Sequence, residues 1–240
     1  MKQYNPNKPL FSIHIPKCAG TSFSNILKAW FKKGYYRHSY NEKRNTPPQK
    51  HNLYKGFFTK TLRPKICIHG HFNNKRGTGV QDYYPEANQF ITIFRDPFHL
   101  HVSTYFYVKQ QEKTKSSGAY RFGKPHPIIA NNWNLEDYLN VKPKSYICNF
   151  LPPSITLDNY RHILKEQFLF IGIAEELQRS VDALSRILQF ESKLVPMVNV
   201  SNWKEQVPDG IRETFVDNNP LEMAIYAYAK ETFWSRHNAV

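Results

Sequence analysis

Along the chain, short continuous apolar runs alternate with segments whose apolar positions recur every three or four residues. "LFSIHI" (10–15) is an apolar run of strand length, and "SFSNILKAWFKK" (22–33) places Phe23, Ile26, Leu27 and Trp30 at helical spacing. After a basic, proline-containing connection come a short strand in "KICIHGHF" (65–72) and another in "QFITIF" (89–94), which ends at Arg95-Asp96-Pro97. Asp96 suits the cap of a helix that starts at Pro97 and continues through "FHLHVSTYFYVKQQ". Residues 111–133, polar, basic and broken by Gly118, Gly123, Pro125 and Pro127, predict a loop. Asn134 can cap a helix in "LEDYLN", "EQFLFIGI" (166–173) reads as a strand, and "AEELQRSVDALSRIL" (174–188) is amphipathic, with Leu177, Val181, Leu184 and Leu188 on one face. A last helix lies in "NPLEMAIYAYAKETFW" (219–234). Strands alternating with helices predict an α/β fold, a three-layer sandwich around a mainly parallel central sheet, in one domain over 1–240.

Charge changes the picture. The 240 residues carry a formal net charge of +14, which implies an anionic partner. Eleven Lys or Arg residues fall between Lys28 and Lys65 against a single acid, Glu42, a block more typical of a binding surface than of a merely solvated one. Three cysteines, Cys18, Cys67 and Cys148, are too few and too scattered for a disulfide framework, which points to a reducing, cytoplasmic setting. No apolar run approaches the roughly 18 to 20 residues that span a bilayer, and "MKQYNPNKPLF" lacks the apolar centre of a signal peptide.

The stretch "FSIHIPKCAGTSF" (11–23) carries the first candidate chemistry. A strand that stops, turns through small residues and enters a helix gathers backbone N–H groups and a helix N-terminus at one point, a ready site for phosphate. Gly20 permits close backbone approach, Thr21 and Ser22 add hydroxyls, and Lys17 adds a mobile charge. The order differs from a nucleotide triphosphatase loop, whose lysine follows its glycines. "IPKCAGTSF" instead resembles the 5′-phosphosulfate loop of sulfotransferases that use 3′-phosphoadenosine 5′-phosphosulfate (PAPS), P-K-x-x-G-T-[ST] after the first strand. "FITIFRDPFHLHVSTYFY" resembles that family's second signature, R-x-P followed by a serine eight residues after the arginine. The resemblance implies that Lys17, Ala19, Gly20, Thr21 and Ser22 hold the 5′ side of PAPS and that Arg95 and Ser103 grip its 3′-phosphate. One departure is Leu100, where relatives frequently carry arginine.

"CIHGHF" leaves three readings open. On a strand Cys67, His69 and His71 share one face, which suits a zinc site, although no further ligand cluster accompanies them. His69 suits a structural role. His71 suits a base, because imidazole titrates near neutrality, and H-G-H resembles the segment that carries the base in heparan sulfate 2-O-sulfotransferases and their relatives.

The resemblance therefore implies a metal-independent sulfotransferase that moves a sulfuryl group from PAPS to a hydroxyl acceptor, a polar or acidic glycan, and leaves adenosine 3′,5′-bisphosphate. His71 would take the proton and Lys17 would steady the leaving phosphate. "MVNVSNWKEQ" (197–206) occupies the place of the family's nucleotide-covering loop, with Asn199, Ser201 and Lys204 as possible contacts. The basic block and the loop bearing Lys109, Lys113, Lys115, Arg121 and Lys124 would border the acceptor cleft. Two other classes share parts of the pattern. A small-molecule kinase needs a lysine after the glycines and an acidic metal ligand, and neither is clear here. A nucleic-acid-binding module needs aromatics among the cations, which Tyr35, Tyr36, Tyr40 and Tyr54 could supply.

Overall fold

A computed structural model describes residues 2–41, 46–54, 62–114, 119–121, 124–141, 146–196, 207 and 210–237. Five parallel strands form its main sheet in the order β2-β3-β1-β4-β7: β1 (Leu10–Ile13), β2 (Tyr35–His38), β3 (Cys67–Gly70), β4 (Phe90–Phe94) and β7 (Phe168–Ile173). Helix α1 (Gly20–Phe31) carries the chain from β1 over β3 to the edge strand β2. The chain then returns through β3 and α2 (Val80–Tyr83) to β4, on the other side of β1. Strand order thus reverses at β1 and β4, the place where open α/β sheets bind ligands beyond their carboxyl ends.

From β4 the chain runs through α3 (Pro97–Lys113), a two-stranded hairpin of β5 (Tyr120–Arg121) and β6 (Lys124–Pro125), α4 (Pro127–Ala130), α5 (Leu135–Asn140) and α6 (Tyr160–Gln167) into β7. It ends in α7 (Leu177–Leu188), α8 (Ile211–Asn218) and α9 (Pro220–His237). Trp30 of α1 stacks on Phe190 just after α7, with centroids 5.6 Å apart, which places these two helices in one layer. Right-handed crossovers put α3 and α6, with the α9 they touch, on the opposite face of the sheet. The result is the three-layer α/β arrangement that the sequence predicts.

Why these residues form these elements is visible in burial. The central strands are apolar and buried on both faces, "LFSI" in β1 and "FITIF" in β4 being buried throughout, as parallel strands covered by helices must be. Helix α1 buries Phe23, Ile26, Leu27 and Trp30, the stripe read from its spacing. Asp96 caps α3 by accepting from the His99 amide at 3.0 Å, and Asn134 and Asp137 form a reciprocal cap on α5. A second apolar cluster joins Phe98, Val102 and Tyr105 of α3 to Tyr138, Ile211 and Phe215.

Several elements depart from the sequence expectation. Strand β2 lies inside what reads as a connection, because an edge strand with one open side needs no apolar run, and "YYRH" buries only His38. Helices α6 and α8 bury two residues each, Ile163 with Leu164 and Ile211 with Phe215, too few to mark a period. Residues 111–133 are only partly a loop: α3 continues to Lys113, and the hairpin and α4 follow.

Candidate functional site

The turn after β1 is built by backbone strain. Lys17 and Ala19, neither of them glycine, adopt left-handed conformations with φ of 67° and 54°. Such residues cost on the order of 1 kcal/mol each and recur where a chain is shaped for function. Alternating left- and right-handed residues curl the amides into a concave nest that suits an anion. Helix α1 has no acidic residue in its first turn and no side-chain cap. Among the described residues, the amides of Ala19, Gly20, Thr21 and Ser22 have no partner. Thr21 is exposed, whereas the Ser22 hydroxyl donates to the Pro196 carbonyl at 2.9 Å, so Ser22 offers the loop its amide.

The turn after β4 meets this loop directly. Arg95 donates to the Lys17 carbonyl at 3.1 Å, which joins the two sequence signatures at the reversal point of the sheet. The acids that could neutralise Arg95 are engaged elsewhere: Asp96 binds Arg212 at 2.7 Å, and Glu175 accepts from the Asp96 amide at 2.9 Å. The Lys17 ammonium rests over the Tyr107 ring, 4.3 Å from its centroid. Burial, and then the Arg95 charge, hold the Lys17 pKa below the ordinary lysine value. Ser103 lies one helical turn before Tyr107 on the same side of α3, and its buried hydroxyl has no partner among the described residues. Two adjacent cations, a row of unpaired amides and an unpaired buried hydroxyl fit a doubly phosphorylated ligand.

Beside the loop, a cleft of about 130 Å³ opens between α1 and the carboxyl ends of β2 and β3. Thr21, Ser24, Asn25 and Lys28 line one wall, and Arg37, Ser39 and four histidines, His14, His38, His69 and His71, line the rest. The four differ in what holds them. His69 is buried, its Nδ1 bonded to Ser12 Oγ at 2.9 Å, and burial pushes its pKa down to about 3. His38 is buried face to face with Phe72, and burial lowers it to about 4. His14 is held well below the usual imidazole range, by burial first and then by the charges of His71, His69 and Arg37. His71 is half-buried, and its Nδ1 lies 2.9 Å from the His14 carbonyl. A carbonyl only accepts, so Nδ1–H donates and the lone pair of the neutral ring sits on Nε2.

The zinc reading of Cys67, His69 and His71 meets a geometric obstacle. Cys67 and His71 are four residues apart along an extended segment, about 13 Å, too far to share one ion. Burial also holds the Cys67 thiol well above the range in which thiolates form. Among the described residues, no group of three or more His, Cys, Asp or Glu could hold a metal, and no helix is long and apolar enough to cross a membrane.

Within the basic block, Lys28 and Arg37 reach the cleft, whereas Arg63 bonds the Tyr54 carbonyl and the Tyr36 hydroxyl. Lys109 pairs with Glu112 at 3.9 Å. Asn199, Ser201, Lys204, Lys115 and Glu42 lie outside the described residues. Sequence reasoning passed over His14 and Tyr107. The available hint was parity: Ser12 and His14 share one face of β1, and Ser12 is the register partner of His69.

A family model described as the sulfotransferase family matches residues 3–228. No match is found among curated proteins. Among solved structures, the chain is similar to a sulfotransferase from Alicyclobacillus acidocaldarius, at 14% identity over 96% of each chain with a TM-score of 0.49. It is also similar to mouse sulfotransferase SULT7A1 complexed with PAP, at 12% identity over 95% of this chain and 91% of that one, with a TM-score of 0.48.

Proposed function

The chain belongs to the sulfotransferase family, and from that premise we propose that its donor is PAPS and its acceptor a hydroxyl on an acidic glycan. The observation that carries the donor assignment is the hydrogen bond from Arg95 to the Lys17 carbonyl. It brings the residues suited to a 5′-phosphate and those suited to a 3′-phosphate to one place. The amides of Ala19 to Ser22 and the Thr21 hydroxyl hold the 5′-phosphate, while Arg95 and Ser103 hold the 3′-phosphate.

The acceptor hydroxyl enters the cleft beside His71. Its oxygen forms a bond to sulfur as the bond from sulfur to the bridging phosphate oxygen breaks. Nε2 of His71 takes the hydroxyl proton, and the Lys17 ammonium stabilises the charge left on the phosphate. Lys28 and Arg37, the cations among the cleft-lining residues, favour an acceptor with its own carboxylate or sulfate. The H-G-H resemblance points to the same acceptor class. The kinase alternative needed a lysine after the glycines and an acidic metal ligand, and the family match leaves it without support.

The test pairs binding with transfer. Adenosine 3′,5′-bisphosphate should raise the melting temperature without magnesium, and labelled PAPS should pass its sulfuryl group to acidic glycans in preference to neutral ones. Stabilisation only by ATP with magnesium would contradict the donor assignment, and equal transfer to neutral glycans would contradict the acceptor class.

A further inference from the structure

We infer that His14 is a positioning residue for His71 and that position 20 is glycine in order to seat it. This rests on the reading of His71 as the base. Strands β1 and β3 run in parallel with Ser12 opposite His69, so two residues further along His14 lies beside His71. Their rings stack with centroids 4.2 Å apart at 27°, and the His14 ring also stacks on His69 at 5.1 Å and 15°. His69 is itself pinned to Ser12. The backbone carbonyl of His14 receives Nδ1–H of His71. One residue therefore sets both the plane of the His71 ring and the nitrogen that carries its lone pair.

The other edge of His14 rests on the start of α1. A Cβ at Gly20 would lie 1.6 Å from His14 Nε2 and 2.2 Å from both Cδ2 and Cε1. The left-handed conformations of this loop fall to Lys17 and Ala19, so Gly20 is needed for space and not for an unusual backbone. The space it leaves is taken by the protein's own imidazole. His14 also stays neutral, so it shields one face of the His71 ring from water without adding a positive charge beside it.

Four variants test this by kcat, its pH profile, bisphosphate affinity and melting temperature. His14→Ala should lower kcat by about 10- to 100-fold, with bisphosphate affinity held within about twofold. It should also move the acid limb of the kcat profile to higher pH, because water then reaches His71. The other ionisable groups around the cleft, His38, His69, Lys28 and Arg37, are untouched in these variants. His14→Phe, which keeps a ring in the stack, should stay within several-fold of wild type with its acid limb in place. A wild-type rate and profile in His14→Ala would overturn the inference. Gly20→Ala should weaken bisphosphate binding and lower the melting temperature, and adding His14→Ala should restore both. Failure to restore them would mean that the phosphate, and not His14, needs the space, and the seating claim would fall. His71→Ala separates the two layers of argument. If it abolishes transfer, the His14 results alone decide positioning; if it stays active, the base reading and this inference fall together.

Discussion

Two polar clusters in this molecule are built around histidine, and they face opposite fates. One joins α3, α5 and α9: His101 Nδ1 lies 2.8 Å from the Tyr138 hydroxyl, and its Nε2 lies 4.0 Å from Glu222 Oε2. Glu222 Oε1 accepts the amides of Ile147 and Cys148 at 2.5 and 3.3 Å, and the cluster is sealed from solvent. The other stands at the carboxyl ends of β1 and β3, along an open cleft, beside two cations that lack a carboxylate partner among the described residues. The same side chains make scaffold where packing seals them from solvent, even with Glu222 Oε2 left without a hydrogen bond among the described residues. They make a site where the partners they need are left for a ligand to bring.

The sharpest way to break this contrast is to remove a charge from the open cluster. Lys17→Ala should lower kcat by about a hundred- to a thousandfold while bisphosphate affinity falls much less, because the ammonium is proposed to act where charge develops on the leaving phosphate. An unchanged kcat with weakened binding would make Lys17 a binding residue alone. Arg95→Ala comes next. Losing a charge-assisted contact should weaken adenosine 3′,5′-bisphosphate by about 10- to 100-fold and adenosine 5′-phosphate hardly at all. Equal losses for the two nucleotides, measured by calorimetry, would remove Arg95 from the 3′-phosphate.

The closed cluster should answer differently, through stability and not through turnover. Burial outweighs the Cys148 and Ile147 amides and lifts the Glu222 carboxyl from 4.5 to about 7. A carboxyl raised on folding binds its proton more tightly in the folded state. Its contribution is therefore present at acid pH, is lost as pH rises from about 4.5 to 7, and levels off above. Glu222→Gln keeps an acceptor for the two amides and cannot ionise. It should flatten that part of the stability profile, worth roughly 3 kcal/mol, and raise the melting temperature at pH 8 with kcat little changed. A persisting slope would show that Glu222 is not the group responsible.

The two clusters were also unequally legible in the sequence. Strands β1, β4 and β7 could be read because strands covered on both faces are mostly apolar runs, and β3 shows the short apolar start Cys67-Ile68, whereas β2, exposed at the edge, carries almost no apolar pattern. Lys17 and Arg95 could be read because each follows such a run directly, where a parallel sheet presents its ligands. His14 could not. A single histidine between Ile13 and Ile15 gains meaning only when the register of β1 with β3 sets it beside His71. Glu222 sits in a helix that reads as ordinary, and its burial depends on residues 75 positions away in sequence.

The most direct test of the account is His71→Ala, assayed for sulfuryl transfer from PAPS and for bisphosphate binding on the same preparation. The proposed phosphate contacts lie on the loops after β1 and β4 and the helices those loops open, and the proposed base lies after β3. Transfer should therefore fall by about a thousandfold or more while bisphosphate affinity and melting temperature stay near wild type. In the wild type, kcat should rise with pH and then level off, since neutral His71 is the active form. A His71→Ala variant that transfers at the wild-type rate, with the same pH profile, would contradict the account.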